Sequence, residues 1–244
     1  MISEFLTNNG KKIPAVTLEQ MVEIDRIAME INGPNLFQMM ENAGRNLAEI
    51  TINSLGKNWK EQNIIVLSGT GGNGGGGICA ARHLANRGGN VKVCISDISN
   101  LKEVPSYQLH ILKSTSANII NAEELKLENP DIIIDALIGY SLIGEPKGNI
   151  LSLISWANSK LSLKISLDIP SGVDATSGEH SINYFKPDLT LTLALPKTGL
   201  ISSLAGELFL GDIGITQKTY KMININFTNS IFQKEFIIPL FENK

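Results

Sequence analysis

The fold of this chain is decided by the stretch Ile64-Ile65-Val66-Leu67-Ser68-Gly69-Thr70-Gly71-Gly72-Asn73-Gly74-Gly75-Gly76-Gly77, which continues into Ile78-Cys79-Ala80-Ala81-Arg82-His83-Leu84. Its first four residues are apolar and mostly β-branched, which predicts a buried parallel strand. Its last seven residues predict a helix with one apolar face. The glycines between them allow a ligand to approach the main chain closely, and the N–H groups at a helix start favour an anion. The stretch therefore predicts a phosphate-binding loop.

The glycine pattern does not identify the ligand. Residues 69–74 satisfy the dinucleotide pattern G-x-G-x-x-G, but any segment this rich in glycine satisfies it almost by accident. The P-loop pattern fails, because no Lys-Ser/Thr pair follows the last glycine. A flexible turn without a ligand is the alternative, and the flanking strand and helix favour the phosphate-binding interpretation over it.

Composition excludes several classes of protein. The chain has 244 residues and a net charge of −3, so bulk charge favours neither nucleic acid nor an anionic membrane. No apolar run is long enough to span a bilayer, and the polar N-terminal stretch 1–14 is not a signal peptide. Cys79 and Cys94 lie in a predicted helix and a predicted strand. We expect both to be buried and reduced, which suits a cytoplasmic protein, and two cysteines with three scattered histidines make zinc unlikely.

Strands and helices alternate along the chain. The first helix is predicted over Thr17–Ile31 with a capping box of Thr17 and Gln20, and the second over Leu36–Ser54, where Gly44 requires a close packing partner. Further helices are predicted at 104–113 and 150–159, and further strands at 91–95, 131–137, 163–168, 189–195 and 206–210. This order predicts one α/β domain over residues 1–244, with a mostly parallel sheet and helices on both faces. Residues 218–244 give no clear pattern.

Two carboxylates end predicted strands. Asp135 closes the apolar run Ile132-Ile133-Ile134, and Asp168 closes Ile165-Ser166-Leu167 and opens Ile169-Pro170-Ser171-Gly172. Ligands of open α/β sheets bind beyond the carboxyl ends of the strands. If the strand order places both aspartates beside the glycine loop, all three face the same ligand-binding crevice. The alternative is that each aspartate caps a turn. Lys197 could meet a phosphate there, although a lone lysine is more often solvated, and the three histidines form no recognisable triad.

Five motifs in this order resemble the NAD(P)H-hydrate epimerase family, also called the YjeF N-terminal domain family. They are Glu41-Asn42-Ala43-Gly44-Arg45, the loop 69–77, Asp135-Ala136-Leu137-Ile138-Gly139, Asp168-Ile169-Pro170-Ser171-Gly172 with Asp174, and Pro196-Lys197-Thr198-Gly199-Leu200. The segment Gly206-Glu207-Leu208 with Asp212-Ile213-Gly214 is similar to the family's closing segment. The resemblance covers residues 17–215, and five ordered motifs are far more specific than any one of them.

The resemblance implies a doubly wound, Rossmann-like fold, a homodimer in the cytoplasm, and interconversion of the R and S forms of hydrated NADH and NADPH. It implies that Asp168 is the catalytic proton shuttle and that K+ binds Asn73, Asp135 and Ser171, whose oxygens suit a hard cation. It also implies a substrate site lined by Asp168 and by two loops, whose residues are Gly72, Asn73, Gly74, Gly75, Gly76, Gly139, Tyr140, Ser141, Leu142, Ile143, Gly144 and Glu145. We expect Asp168→Asn to fold normally and to lose epimerisation.

The chain departs from the family's loop at two positions, since Gly72 stands where an asparagine is usual and Gly76 where an aspartate is usual. A carboxylate at position 76 is expected near the nucleotide, so Gly76→Asp should favour the NADH hydrate or raise activity. The departure leaves a second function open, a non-catalytic nucleotide- or RNA-binding scaffold on the same fold. A third, an NAD(P) dehydrogenase, would use Asp97 to hold the ribose and leaves the Asp168 motif unexplained.

Overall fold

The computed structural model describes residues 2–142 and 144–243. Its strands are β1 (Glu4–Thr7), β2 (Lys12–Pro14), β3 (Asn63–Ser68), β4 (Asn90–Ile95), β5 (Asn118–Ile120), β6 (Ile132–Ala136), β7 (Leu163–Leu167), β8 (Leu189–Leu193), β9 (Glu207–Gly211) and β10 (Ile237–Glu242). Its helices are α1 (Leu18–Ile27), α2 (Leu36–Leu55), α3 (Gly72–Asn86), α4 (Glu103–Leu112), α5 (Ala122–Lys126), α6 (Gly148–Asn158), α7 (Ser202–Ala205) and α8 (Gln217–Met222). A π-helical turn, Ala28–Asn32, continues α1.

The ten strands form one sheet in the order β2-β1-β10-β9-β8-β7-β6-β3-β4-β5. All pairs from β5 across to β9 are parallel, and β10, β1 and β2 extend the sheet with antiparallel pairs. From β3 the chain builds outward to β4 and β5, then returns to β6 on the other side of β3. The strand order therefore reverses between β3 and β6, and such a switch point is where α/β sheets bind ligands.

Helices cover both faces of the parallel part, as predicted. Along β3, Ile64 and Val66 belong to one core, together with apolar residues of α2, α3 and α4. Ile65 and Leu67 belong to a second core that includes residues of α5 and α6. Both faces of the strand are buried, because successive side chains point to opposite sides of the sheet, and this explains the unbroken apolar run in the sequence.

The predicted helix starts are confirmed at α1 and α2. Thr17 and Gln20 form the predicted capping box at α1, and Asn35 and Gln38 form another at α2. Gly44 of α2 has the expected close partner: a Cβ at this position would lie 2.5 Å from the Cys79 sulfur and 2.9 Å from the backbone nitrogen of Ala80. The missing side chain lets α2 and α3 approach closely.

The glycine run is more helical than the sequence predicts. The prediction of a loop up to Gly77 is wrong, since α3 begins at Gly72 and only residues 69–71 lie between β3 and the helix. Helix packing explains the glycines in the first turns: a Cβ at Gly77 would lie 2.5 Å from the Ala136 Cβ, and one at Gly75 would touch Pro105 of α4. Close approach of α3 to β6 and α4 outweighs the low helix propensity of glycine.

The sequence does not predict the antiparallel edge. β1, β2 and β10 are short or partly exposed strands, and β10 lies in the region 218–244 that showed no clear pattern. Within the described chain, both cysteines are free and buried, as expected. None of the described helices has the length and apolar character needed to cross a membrane.

Candidate active site at the switch point

The N-terminus of α3 opens at the switch point. Its N-cap, Gly71, supplies no side-chain hydrogen bond to the first turn. The first N–H groups of a helix have no partner within the helix, so they are left for water or a ligand. Gly72 and Asn73 are half-buried at this end, whereas Gly74, Gly75 and Gly76 are buried. The mouth of the predicted phosphate site is thus formed by residues 71–73.

Gly76 lies in the second turn of α3 and faces the core. A Cβ at this position would lie 2.8 Å from a Leu167 methyl carbon and 3.7 Å from the Ala43 Cβ. The aspartate that the family usually has at this position would therefore lie in the second turn of α3, away from the helix start at Gly72. The side chain would enter an apolar contact between α2, α3 and β7, so Gly76→Asp is expected to lower stability. Its effect on nucleotide preference stays a prediction.

Asp135 is a fully buried carboxylate near the end of β6. Ser171 donates to it twice, through its backbone N–H at 2.9 Å and its hydroxyl at 2.7 Å, and Ser166 and the N–H of Leu137 also donate. Burial raises the pKa of Asp135 to about 6, although these hydrogen bonds counteract it. Across residues 2–142 and 144–243, Asp135 takes part in no ion pair.

Asn73 lies next to the same group of residues. A Cβ at Gly139 would lie 3.4 Å from the Asn73 amide carbon, and the adjacent Ile138 donates its N–H to the Ser171 hydroxyl at 2.9 Å. The buried Nδ2 of Asn73 has no hydrogen-bond partner among the described residues. A carboxylate without a counter-charge, a hydroxyl and an amide oxygen are oxygen donors that fit a hard cation, so the residues fit K+.

Asp168 follows β7 in an unusual backbone conformation. Its φ is +69°, and the N–H of Ile169 bonds to the carbonyl of Leu167 across it, which makes a γ-turn. Ala194, after the adjacent strand β8, has φ +62° and an equivalent Leu195-to-Leu193 bond. Left-handed non-glycine residues of this kind are strained and cluster at functional sites. The two turns place the Asp168 carboxylate at the carboxyl edge of the sheet.

Lys197 is the partner of Asp168, so the alternative that this lysine is solvated is wrong, and its contact with a phosphate stays a prediction. Its side chain is 1% exposed, and Nζ donates to Asp168 Oδ1 and to the Leu193 carbonyl at 2.9 Å. The Leu193 N–H also donates to Asp168 Oδ1, at 3.2 Å. Asp168 Oδ2 has no hydrogen bond to any described residue. One oxygen is therefore fixed by a buried ammonium while the other remains available to a ligand.

The second expected substrate loop follows β6. Gly139 packs against Asn73, and Tyr140 and Leu142 are half-buried. Ser141, Gly144 and Glu145 are exposed, and Gly144 has φ +69°. Ile143 lies outside the described residues. The structure thus brings the beginning of this loop to Asn73 and leaves its described tip open to solvent.

An ion-pair cluster between α2 and α3 was not predicted from the sequence. Glu41 of α2 accepts from Arg82 at 2.5 Å and from His83 at 2.8 Å, both on α3. Glu41, Cys79 and His83 have the residue types and spacing of a metal site. The Arg82 guanidinium already contacts both Glu41 and the Cys79 sulfur, so the positive charge there belongs to the chain itself. The motif Glu41–Arg45 contains Glu41 and could have indicated this cluster.

The residue required by the dehydrogenase alternative is used locally. Asp97 follows β4, where a ribose-binding carboxylate would lie, but its oxygens accept hydrogen bonds from Ser99 and Asn100. These bonds cap a short 3-10 turn that begins directly after it. Asp97 therefore acts as a turn cap, and the structure gives the dehydrogenase alternative no support.

Fold and site together define a doubly wound α/β protein with a buried polar site at its switch point. Residues 36–199 match the family described as YjeF-related protein N-terminus, and the chain belongs to this family. The solved crystal structure of the yeast protein ynu0 has the same fold, with a TM-score of 0.81 at 23% identity over 93% of this chain and 100% of that one.

Relatives with curated names extend the similarity over almost the whole chain. A protein of Dehalogenimonas lykanthroporepellens, named NAD(P)H-hydrate epimerase, is 47% identical over 98% of both chains. A protein of Elusimicrobium minutum with the same name is 34% identical over 83% of this chain and 96% of that one. A Hyperthermus butylicus protein named bifunctional NAD(P)H-hydrate repair enzyme Nnr is 34% identical over 82% of this chain, but over only 38% of its own length.

Proposed function

We propose that this chain is an epimerase that interconverts the R and S forms of hydrated NADH and NADPH. The observation that carries the proposal is its 47% identity, over 98% of both chains, to a protein named NAD(P)H-hydrate epimerase. Family membership and the polar site at the switch point support the same function. Asp97 is a turn cap, and no observation favours the scaffold alternative over catalysis.

The chemistry needs a group that moves a proton beside the inverting carbon. In the hydrate this carbon carries a hydroxyl and is bonded to the ring nitrogen, so both loss of the hydroxyl and ring opening require proton transfer. We propose Asp168 for this role, because Oδ1 is fixed by Lys197 and Oδ2 is available. A positioned carboxylate is a usual general acid–base group.

The two loops then divide the substrate between them. The N-terminus of α3, which opens at residues 71–73, would bind the pyrophosphate. The loop from Gly139 to Glu145 would cover the nucleotide. We also propose a homodimer, which the family resemblance implies, and a cytoplasmic location, which two free cysteines suit.

We propose that K+ binds Asn73, Asp135 and Ser171. When bound, it would neutralise the buried Asp135 carboxylate and hold the loops after β6 and β7 together. A ligand that binds only the folded state raises thermal stability. Melting temperatures should therefore rise with KCl relative to tetramethylammonium chloride at equal ionic strength, and this rise should disappear in Asp135→Asn. Equal melting curves of the wild type in both salts would contradict the site.

The direct test of the function is an assay on separated epimers. Purified protein is incubated with the single R hydrate of NADH or NADPH, and formation of the S hydrate is followed by chromatography against a protein-free control. We expect equilibration in minutes and none with Asp168→Asn. If the wild type leaves the epimer ratio at the protein-free rate, the proposed function is wrong, and nucleotide binding without turnover would favour the scaffold alternative.

A further inference from the structure

Four ionisable side chains form a row that begins at Asp168 of the proposed site and leads away from it. Asp168 pairs with Lys197, and the Lys197 ammonium lies 5.9 Å from the centre of the Tyr140 ring. The Tyr140 hydroxyl in turn donates to Asp25 Oδ2. Asp25 belongs to α1, far from the other three in sequence, so the row joins the first helix of the chain to the edge of the sheet.

The Tyr140–Asp25 contact is the fixed point of the loop after β6. Tyr140 gives this loop a side-chain hydrogen bond to a distant element, since its acceptor Asp25 lies on α1. Gly139 contributes packing against Asn73, and residues 141, 144 and 145 are exposed. Near Lys197 the loop is therefore held by one phenol and its acceptor, whereas at its far end the buried Pro146 packs close to Gly172.

Asp25 is set apart from the other acidic residues of α1. Glu19 and Glu23 take part in local contacts at the surface, whereas Asp25 is half-buried and its carboxylate accepts the hydrogen bond of Tyr140. Burial raises the pKa of Asp25 to about 6. A partly buried carboxylate needs a contact that compensates for its lost hydration. For Asp25 this contact is the hydroxyl of Tyr140, which belongs to the expected substrate loop.

We propose that Asp25 is a positioning residue of the active site, which holds Tyr140 and its loop across the Lys197–Asp168 pair. The inference rests on the proposed function, since the loop is expected to cover the nucleotide. Asp25 makes no hydrogen bond to Asp168 or Lys197, although its charge interacts with both. Its loss should therefore weaken substrate binding more than it slows proton transfer, and the expected signature is a raised KM with a much smaller change in kcat.

The test compares Asp25→Ala, Tyr140→Phe, their double variant and Asp25→Asn. Loss of a hydrogen bond to a charged group corresponds to about a tenfold change in binding, so each of the first two should raise KM for the hydrate about tenfold. The double variant should be no worse than either single variant, because both remove one contact. Asp25→Asn should keep KM near the wild-type value, because its amide oxygen still accepts from the phenol.

A matched control removes a phenol elsewhere. Tyr107 is an exposed tyrosine on α4 that packs edge-to-face against Phe37, so Tyr107→Phe should leave KM and kcat unchanged. Three outcomes would each overturn the role of Asp25 while leaving the epimerase proposal intact. They are a wild-type KM in the active variants, additive effects in the double variant, and a fall in kcat alone. A wild type that does not equilibrate the epimers would overturn both.

Discussion

At the scale of the residue, the Lys197–Asp168 pair sets the behaviour of the site. The ammonium is buried, and its contacts are Asp168 Oδ1, the Leu193 carbonyl and the more distant Thr192 hydroxyl. Removing one partner of a buried ion pair leaves an uncompensated charge, and this costs far more than the pair contributes. The expectation that Asp168→Asn folds normally, formed from the sequence, therefore needs correction.

We predict that Asp168→Asn loses epimerisation and is also destabilised by about 3 kcal/mol, because Lys197 remains buried without a counter-charge. The double variant Asp168→Asn with Lys197→Met should recover much of this stability and none of the activity. Urea unfolding and the epimer assay measure the two effects separately. If Asp168→Asn unfolds at the wild-type urea concentration, the buried pair does not stabilise the fold.

At the scale of the element, close contact between α2 and α3 organises the glycine-rich half of the chain. We predict that Gly44→Ala lowers the free energy of unfolding by about 3 kcal/mol, because its Cβ would overlap Cys79 and the backbone nitrogen of Ala80. Gly72→Ala is the control, since a Cβ there meets only the Met40 sulfur at 3.8 Å. Similar unfolding midpoints for both variants would contradict the packing explanation.

The same helix pair carries a pH-dependent contact. Burial alone would raise the pKa of Glu41, but hydrogen bonds from Arg82 and His83 outweigh it and hold the pKa at about 2. A carboxyl group with a lowered folded-state pKa stabilises the fold above its unfolded value of 4.5, and this stabilisation is lost as pH falls toward 2. The contribution to stability is therefore present at neutral pH.

Glu41→Gln should lower the free energy of unfolding at pH 7 by about 1 kcal/mol, a figure reduced because the Glu41 side chain is 44% exposed and solvent screens the pair. The difference from the wild type should shrink as pH falls below 4.5. Glu49→Gln, an exposed glutamate on the same helix, serves as the control. A difference that stays constant from pH 7 to pH 3 would show that Glu41 acts through packing instead of charge.

At the scale of the whole molecule, the sequence predicts the parallel core well because its signals are local. β3 and β6 contain apolar runs, β7 alternates apolar and polar residues, and α1 and α2 begin at capping residues, so their positions follow from neighbouring residues alone. The sequence suggests that the strands ending in Asp135 and Asp168 are both neighbours of β3. This is correct for β6, which carries Asp135, and wrong for β7, which precedes Asp168 and pairs with β6 instead of β3.

The features that the sequence did not predict depend on distant partners. Lys197 is buried because two left-handed turns bring Asp168 to it from 29 residues away, and no local pattern encodes such a pair. The sequence predicts too late a start for α3, because a run of glycines is typical of a loop. The glycines are explained instead by close contacts with β6 and α4, which the sequence does not reveal. Asp25 lies on an amphipathic helix whose other acidic residues are at the surface, and only Tyr140 distinguishes it.

The antiparallel edge joins both ends of the described chain to the site. β10 lies between β9 and β1, so it connects the hairpin β1–β2 to the parallel sheet. Directly after the hairpin, Val16 exchanges backbone hydrogen bonds with Pro196 and Thr198 on either side of Lys197. The loop that holds Lys197 is therefore supported by a segment whose own anchoring depends on β10.

We predict that Leu240→Ala, in the middle of β10, lowers the free energy of unfolding by about 3 kcal/mol, because Leu240 is buried in the main core and its truncation leaves a cavity. Phe241→Ala is the matched control, since the next side chain of the strand points to the opposite face and is 52% exposed. It should change the free energy by less than about 0.5 kcal/mol. Chemical denaturation of both variants measures the difference. Equal losses of unfolding free energy in Leu240→Ala and Phe241→Ala would contradict the prediction. The buried side chain of β10 would then contribute no more than the exposed one, and β10 would support the Lys197 loop through backbone pairing alone.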